Sequence, residues 1–424
     1  MVSRSTIPAL SLAAALALAG CGGSGPAKPA AGAAGGGLAP AKLGRKMPEY
    51  VKSGMAEEWK RFSELDSGLS HSRTEDEKTK AEKEMEAWKA DFPPRWEGKD
   101  VPGPECLMYA RMLQKCEKFT EAVIQARKYL AVSPDDTPNY VNATTLLIGA
   151  LAQSGDFAGA DRELKANLET VYKTRDLERK GVEDTIANAM YFAGKIEEAA
   201  PHFERSATTG YGDINSCLLA VDCFLRLGRA SEAVAVVDRC ASMNKEGKNA
   251  DRARQLQQQV ALVGKPAPGF SAVHAWEGTG GPVSDKQLKG VVTVVFSWNM
   301  QKQWNQWFFE RVNKLAAEYA ERGVQVIGVS RLAKFDANRM KVDPEMTEEK
   351  ELAYYHAWVG EFKVTYALAI GAYQDENLIN AWGFQVVPTF VVVGKDGIVN
   401  YFRTGKDEKY FPALREMIDK ALAK

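Results

Sequence analysis

Cysteine is the residue type in this 424-residue chain best suited to chemistry, and its placement excludes as much as it suggests. The six are Cys21, Cys106, Cys116, Cys217, Cys223 and Cys240, and none follows. A thiol attacks as its thiolate, so a working dithiol needs a lowered pKa, often at a helix N-terminus. Cys106 and Cys116 share one helical stretch, roughly 15 Å apart along its axis, too far to bridge. Cys217 lies 11 residues before Gly228 and Cys240 lies 12 after it. An antiparallel hairpin turning at Gly228 sets these two side by side, which predicts a structural disulfide. Cys106, Cys116 and Cys223 read as buried free thiols. His71, His202, His274 and His356 are scattered without ligand spacing, so neither a metal site nor a cofactor is expected. Ser297 has no evident base beside it, which leaves nucleophilic catalysis without support. Lys plus Arg and Asp plus Glu are both 55, and this zero balance gives no basic face for nucleic acid.

The elements that must position such groups centre on residues 291–304, VVTVVFSWNMQKQW. Uncharged, β-branched residues closed by Phe296 predict a buried strand. A polar turn follows, then an amphipathic helix, WFFERVNKLAAEYAERG, stopped by Gly323, and a second buried strand, VQVIGVS. Strand, helix and strand make a βαβ unit, whose functional groups gather where the first strand feeds the helix. Upstream, 263–270 read VGKPAPGF; residues 331–362 are charged and read as mostly helical. Val386-Val387-Pro388-Thr389-Phe390 then opens a strand, followed by the turn Gly394-Lys395-Asp396-Gly397.

This order resembles the thioredoxin fold and, more narrowly, the TlpA-like and AhpC/TSA-type redoxins, over about residues 263–424. In those families the first strand runs into a Cys-x-x-Cys turn. Here Gln301 and Trp304 stand where the two cysteines would be. The resemblance thus implies the fold and speaks against the reaction. It also implies a cis proline at Pro388 and a groove where substrate backbone pairs beside it. Carried over, that groove is lined by Trp298, Gln301, Lys302, Trp304, Val387 and Pro388, and suits an extended peptide added to a strand edge.

Between 104 and 262 the chain repeats. Gly155-Asp156-Phe157…Ala160, Gly194-Lys195-Ile196…Ala199 and Gly228-Arg229-Ala230…Ala233 share one pattern, with glycines 39 and 34 apart. Glu117-Lys118-Phe119…Ala122 is a degenerate first copy. The pattern resembles tetratricopeptide (TPR) helical hairpins, about 34 residues each, whose arrays bind peptides or proteins. Residues 47–103 carry two charged helices, read as an N-terminal cap.

At the N-terminus, Arg4 precedes a short apolar run ending Leu18-Ala19-Gly20-Cys21. This has the layout of a signal peptide over 1–21, and its end resembles the bacterial lipobox, which makes Cys21 the lipidated residue. Residues 22–46, rich in Gly, Ala and Pro, form a flexible spacer. Gly22, rather than Asp, points toward the outer membrane.

The sequence therefore predicts a multidomain chain: all-α TPR-like repeats at 104–262, then an α/β thioredoxin-like domain at 263–424. Its expected role is binding or scaffolding at the bacterial envelope, lipid-anchored and facing the periplasm, with a protein or peptide partner. Two other readings stand beside it. One is a TlpA- or peroxiredoxin-like oxidoreductase borrowing Cys116 or Cys223; the other makes the redoxin domain a packing module for the repeats.

Overall fold

A computed structural model describes residues 54–72, 74–132, 138–210, 212–299, 305–373, 377–405 and 407–424. Two compact units divide between Val171 and Tyr172, among the helical hairpins.

In the first unit, α1 (Met55–His71) pairs with α2 (Glu75–Trp96) over an aromatic seam. Trp88 stacks on Phe92 at 4.8 Å, and its indole N–H donates to the buried Glu58 carboxylate at 2.7 Å. Then α3 (Cys106–Lys115) and α4 (Phe119–Leu130) form one hairpin, and α5 (Pro138–Gln153) and α6 (Phe157–Asn167) a second.

The second unit begins with two more hairpins, α7 (Asp176–Phe192) with α8 (Ile196–Ala207) and α9 (Ile214–Arg226) with α10 (Ala230–Met243), followed by α11 (Gly247–Val260). The four hairpin turns are one structure repeated. Glycines 155, 194 and 228 take φ of 89°, 77° and 74°, the left-handed backbone that ends a helix at least cost without a Cβ. In every copy the next residue's N–H reaches five residues back: Lys118 to Leu113, Asp156 to Leu151, Lys195 to Met190 and Arg229 to Phe224, at 2.8–2.9 Å. Ala122, Ala160, Ala199 and Ala233, at the matching position of each copy, are fully buried. Glu117 holds the glycine position of the first copy at φ 59°.

After α11 the chain builds a six-stranded sheet in the order β1-β6-β3-β2-β7-β8. Its strands are β1 (Ala275–Gly278), β2 (Thr293–Ser297), β3 (Gln325–Arg331), β6 (Ala367–Gly371), β7 (Thr389–Val393) and β8 (Val399–Thr404); β4 (Phe335–Asp336) and β5 (Lys341–Val342) form a separate hairpin. Strand β2 is buried throughout, because its apolar residues face helices on both sides of the sheet. It lies parallel to β3 and antiparallel to β7, with Val295 opposite Ile327 and Val391. Helices α12 (Asn305–Ala320), α13 (Glu348–Glu361), α14 (Asn377–Ala381) and α15 (Phe411–Ala423) complete the domain. The stretch after β3, read as mostly helical, starts instead with the β4–β5 hairpin. Asp336 Oδ1 accepts the N–H groups of Asn338 and Arg339 at 3.0 and 3.2 Å and closes its turn before a helix can start.

Candidate functional site

The parallel strands β2, β3 and β6 all end at one side of the sheet, where open α/β folds place their sites. Ser297, the last residue of β2, is fully buried. Its Oγ accepts the Thr389 N–H at 2.8 Å and donates to the Val386 carbonyl at 3.3 Å. The Thr389 hydroxyl donates to the same carbonyl at 2.7 Å, and Gly405 N–H to the Pro388 carbonyl at 2.9 Å. The segment 386–389, with its cis Val387–Pro388 bond, is thus pinned to β2 on one side and to the end of β8 on the other. Ser297 is held as a tie, and among the described residues its hydroxyl bonds only backbone groups.

Of the groove residues expected from sequence, Val387 is half-buried and Pro388 buried. Among the described residues no hydrogen bond engages the Val387 N–H or carbonyl. Trp298 corrects the expectation: it is 2 % exposed and lines no open groove. Its ring packs against Phe309 at 4.9 Å, Tyr355 at 5.3 Å and Trp358 at 6.1 Å, because α13 lies over the end of β2. Among the described residues its indole Nε1 has no hydrogen-bond partner. Gln301, Lys302 and Trp304 lie outside the described residues, as does Cys21.

Helix α13 is held there by a buried carboxylate. Glu351, 2 % exposed, accepts the backbone N–H groups of Ala333 and Lys334 at 2.9 Å and of Phe335 at 3.3 Å. One turn further on, the Tyr355 hydroxyl donates to the Arg331 carbonyl at 2.8 Å and lies 3.0 Å from Ser330 Oγ.

The thiols lie elsewhere. Burial pushes Cys106 up to about 11 and Cys116 up to about 12, so neither is a thiolate near neutrality. Burial, and then the Asp222 charge, also raise Cys223. Cys223 sits on α9, which packs against β8, and β7 separates that strand from β2. Cys217 of α9 and Cys240 of α10, expected from the sequence to form a disulfide, are both fully buried free thiols.

A feature the sequence reading missed joins helices to sheet within the second unit. Asp222, 1 % exposed, faces the Arg403 guanidinium of β8, 3 % exposed, at 2.9 Å. The Tyr191 hydroxyl donates to the same carboxylate at 2.6 Å, and the Tyr401 hydroxyl also donates to it. Arg403 lies over the Tyr410 ring at 3.9 Å, and Arg226 Nε donates to Glu416 of α15 at 3.0 Å. Gln259 of α11 donates to the Gly383 carbonyl at 2.8 Å. The signal was present: Asp222 interrupts the apolar run Leu218–Leu225, and Arg403 interrupts a buried strand. A charge inside such a run needs a buried partner.

Residues 263–402 match the AhpC/TSA family. Among solved structures, a putative thioredoxin from Neisseria meningitidis is 25 % identical, covering 34 % of this chain and 81 % of its own, with a TM-score of 0.26. A putative thiol:disulfide interchange protein DsbE from Chlorobium tepidum is 21 % identical, covering 38 % and 97 %, with a TM-score of 0.29. A thiol-disulfide isomerase from Corynebacterium glutamicum is 18 % identical, covering 37 % and 97 %, with a TM-score of 0.30. No curated protein matches significantly. With the βαβ core, the cis Val387–Pro388 bond and the family match over 263–402, the C-terminal domain is a redoxin of thioredoxin fold, the fold of thiol-disulfide oxidoreductases.

Proposed function

We propose that the chain is a binding or scaffold lipoprotein of the bacterial envelope, in which the redoxin domain holds an extended polypeptide without thiol chemistry. The observation that carries the reading is the site beside Pro388: a Val387 backbone unpaired among the described residues, in a domain whose sequence holds no cysteine. An unpaired N–H and C=O at a half-exposed position can take an added strand, the mode in which backbone pairing supplies affinity. The TPR-like hairpins supply a second protein-binding surface, and Cys21 with the 22–46 spacer holds both at a membrane on its periplasmic side.

Two measurements test this. Purified residues 22–424 should show no turnover in insulin reduction, and the form with all five helical-region cysteines changed to Ser should behave identically. Turnover that disappears in the cysteine-free form establishes the borrowed-thiol oxidoreductase instead. Binding of an unfolded probe, reduced carboxymethylated lactalbumin, should survive Val387→Ala, which keeps the amide, and fall at least tenfold in Val387→Pro, which removes it. Equal binding by both variants, each with an unchanged circular-dichroism spectrum, refutes the groove.

A further inference from the structure

Three consecutive glutamines near the end of α11, Gln257, Gln258 and Gln259, reach in three directions. The Gln257 amide donates to Asp238 of α10 at 2.7 Å and ties the helix to the last hairpin. Gln258 Oε1 accepts the side-chain N–H of Gln385 at 3.1 Å, at the surface. Gln259 is 4 % exposed and turns inward. Its Nε2 donates to the Gly383 carbonyl at 2.8 Å and to the Thr389 hydroxyl at 3.5 Å. One side chain of the helical region thus holds both ends of the loop from Gly383 to Thr389, which carries Val387 and Pro388. A threonine hydroxyl has one proton to give and two lone pairs. The Thr389 proton goes to the Val386 carbonyl at 2.7 Å, so its oxygen accepts from Gln259 and, at 2.9 Å, from the Thr404 hydroxyl. The approach is close. A Cβ at Gly383, where φ is 67°, would lie 3.0 Å from Gln259 Cγ and 3.6 Å from Leu262 Cδ1. Beyond α11 the chain stays attached to the sheet, with Gly264 N–H donating to the Val399 carbonyl of β8 at 2.8 Å.

We propose that Gln259 is the positioning residue of the groove, through which the helical region sets the Val387 backbone that a peptide meets. The inference rests on the groove reading given above. Ser297 and Gly405 pin the loop from within the redoxin domain, and Gln259 pins it from outside. Without the Gln259 amide the Gly383 carbonyl loses a buried donor, and the loop is held at one end only. Seating of α11 and binding beside Pro388 are then linked, and the linkage is reciprocal. A bound chain that orders the loop steadies α11, and loosening Gln259 weakens binding.

The test compares purified residues 22–424 with Gln259→Met, which keeps the side chain's length and removes its donor. Ala187→Gly, a change at a fully buried position of α7, controls for a general loss of stability. Amide hydrogen exchange across 384–391 should be at least about tenfold faster in Gln259→Met than in the parent. Its affinity for reduced carboxymethylated lactalbumin should fall at least about fivefold. Ala187→Gly should lower the urea midpoint and leave both readouts unchanged. In the parent, the same probe should slow exchange across 250–260 severalfold, a readout that needs no variant to fold. Loop exchange that is unaltered in Gln259→Met, or altered as much by Ala187→Gly, overturns the proposal. So does unweakened binding with a loosened loop, or a bound probe that leaves α11 unprotected. A parent that binds no probe refutes the groove reading instead, and the exchange rates of the loop then decide alone whether Gln259 holds it.

Discussion

Replacing Asp222 by Ala tests whether the helical hairpins and the redoxin sheet of the second unit form one cooperative body. The carboxylate is 1 % exposed and faces an Arg403 guanidinium that is 3 % exposed, with two tyrosine hydroxyls donating to it. Removing one member of a buried pair leaves the other charge desolvated and unmatched, which costs about 3–5 kcal/mol. Each stranded tyrosine hydroxyl adds roughly 1–3 kcal/mol where it finds no water. These terms share partners and do not sum, so the expected loss is about 3–5 kcal/mol, a large part of a typical stability. The assay is urea unfolding of the purified chain, followed by tryptophan fluorescence and by helical circular dichroism. The double change Asp222→Leu with Arg403→Met should recover most of the loss, because an apolar pair of similar volume escapes the desolvation penalty. The reasoning fails if Asp222→Ala costs less than about 1 kcal/mol. It fails equally if the double variant is as unstable as the single one.

Two further outcomes follow from individual residues. Glu117 occupies the left-handed position that the other hairpins fill with glycine, so Glu117→Gly should raise stability by about 0.5–1 kcal/mol, and Gly155→Glu should lower it by about 1–2 kcal/mol; thermal unfolding of both variants checks the pair. Burial opposes ionisation of Glu183, but hydrogen bonds from His202 at 2.6 Å and Arg205 at 2.8 Å outweigh it and hold the carboxyl below its ordinary value. A carboxyl lowered on folding adds stability that is complete above its unfolded pKa, about 4.3, and is lost as pH falls through the folded value. Urea midpoints measured from pH 7 down to pH 3 should therefore fall more steeply in the parent than in Glu183→Gln, and parallel curves would dismiss the linkage.

Much of this architecture was legible in the sequence because it rests on local signals. The hairpin turns announce themselves by glycine at the left-handed position and alanine five residues later, and β2 by an uncharged β-branched run. The β4–β5 hairpin was not legible: Asp336 caps its turn through its own neighbours' N–H groups, a choice the charged composition of 331–362 does not reveal. The fate of Trp298 was hidden for a different reason. Whether an indole beside a strand end lines a groove or fills a core depends on which distant helix covers it. The chain settles that through Glu351 and the N–H groups of 333–335, a contact without periodicity. Asp222 and Arg403 lie 181 positions apart, and each could be recognised only as an anomaly in its own run.

Ser297 shows how this fold keeps its frame without a dithiol. The segment bearing Pro388 must stay against the end of β2, and here a single hydroxyl, fully buried, accepts from Thr389 and donates to Val386. The two bonds run from the end of β2 to Val386, just ahead of β7, and to Thr389, its first residue. Burial of Trp298 under α13 acts in the same direction, since it locks the residue just before the turn into the aromatic core. The frame around Pro388 is thus held by Ser297, Thr389 and Trp298, none of them a thiol.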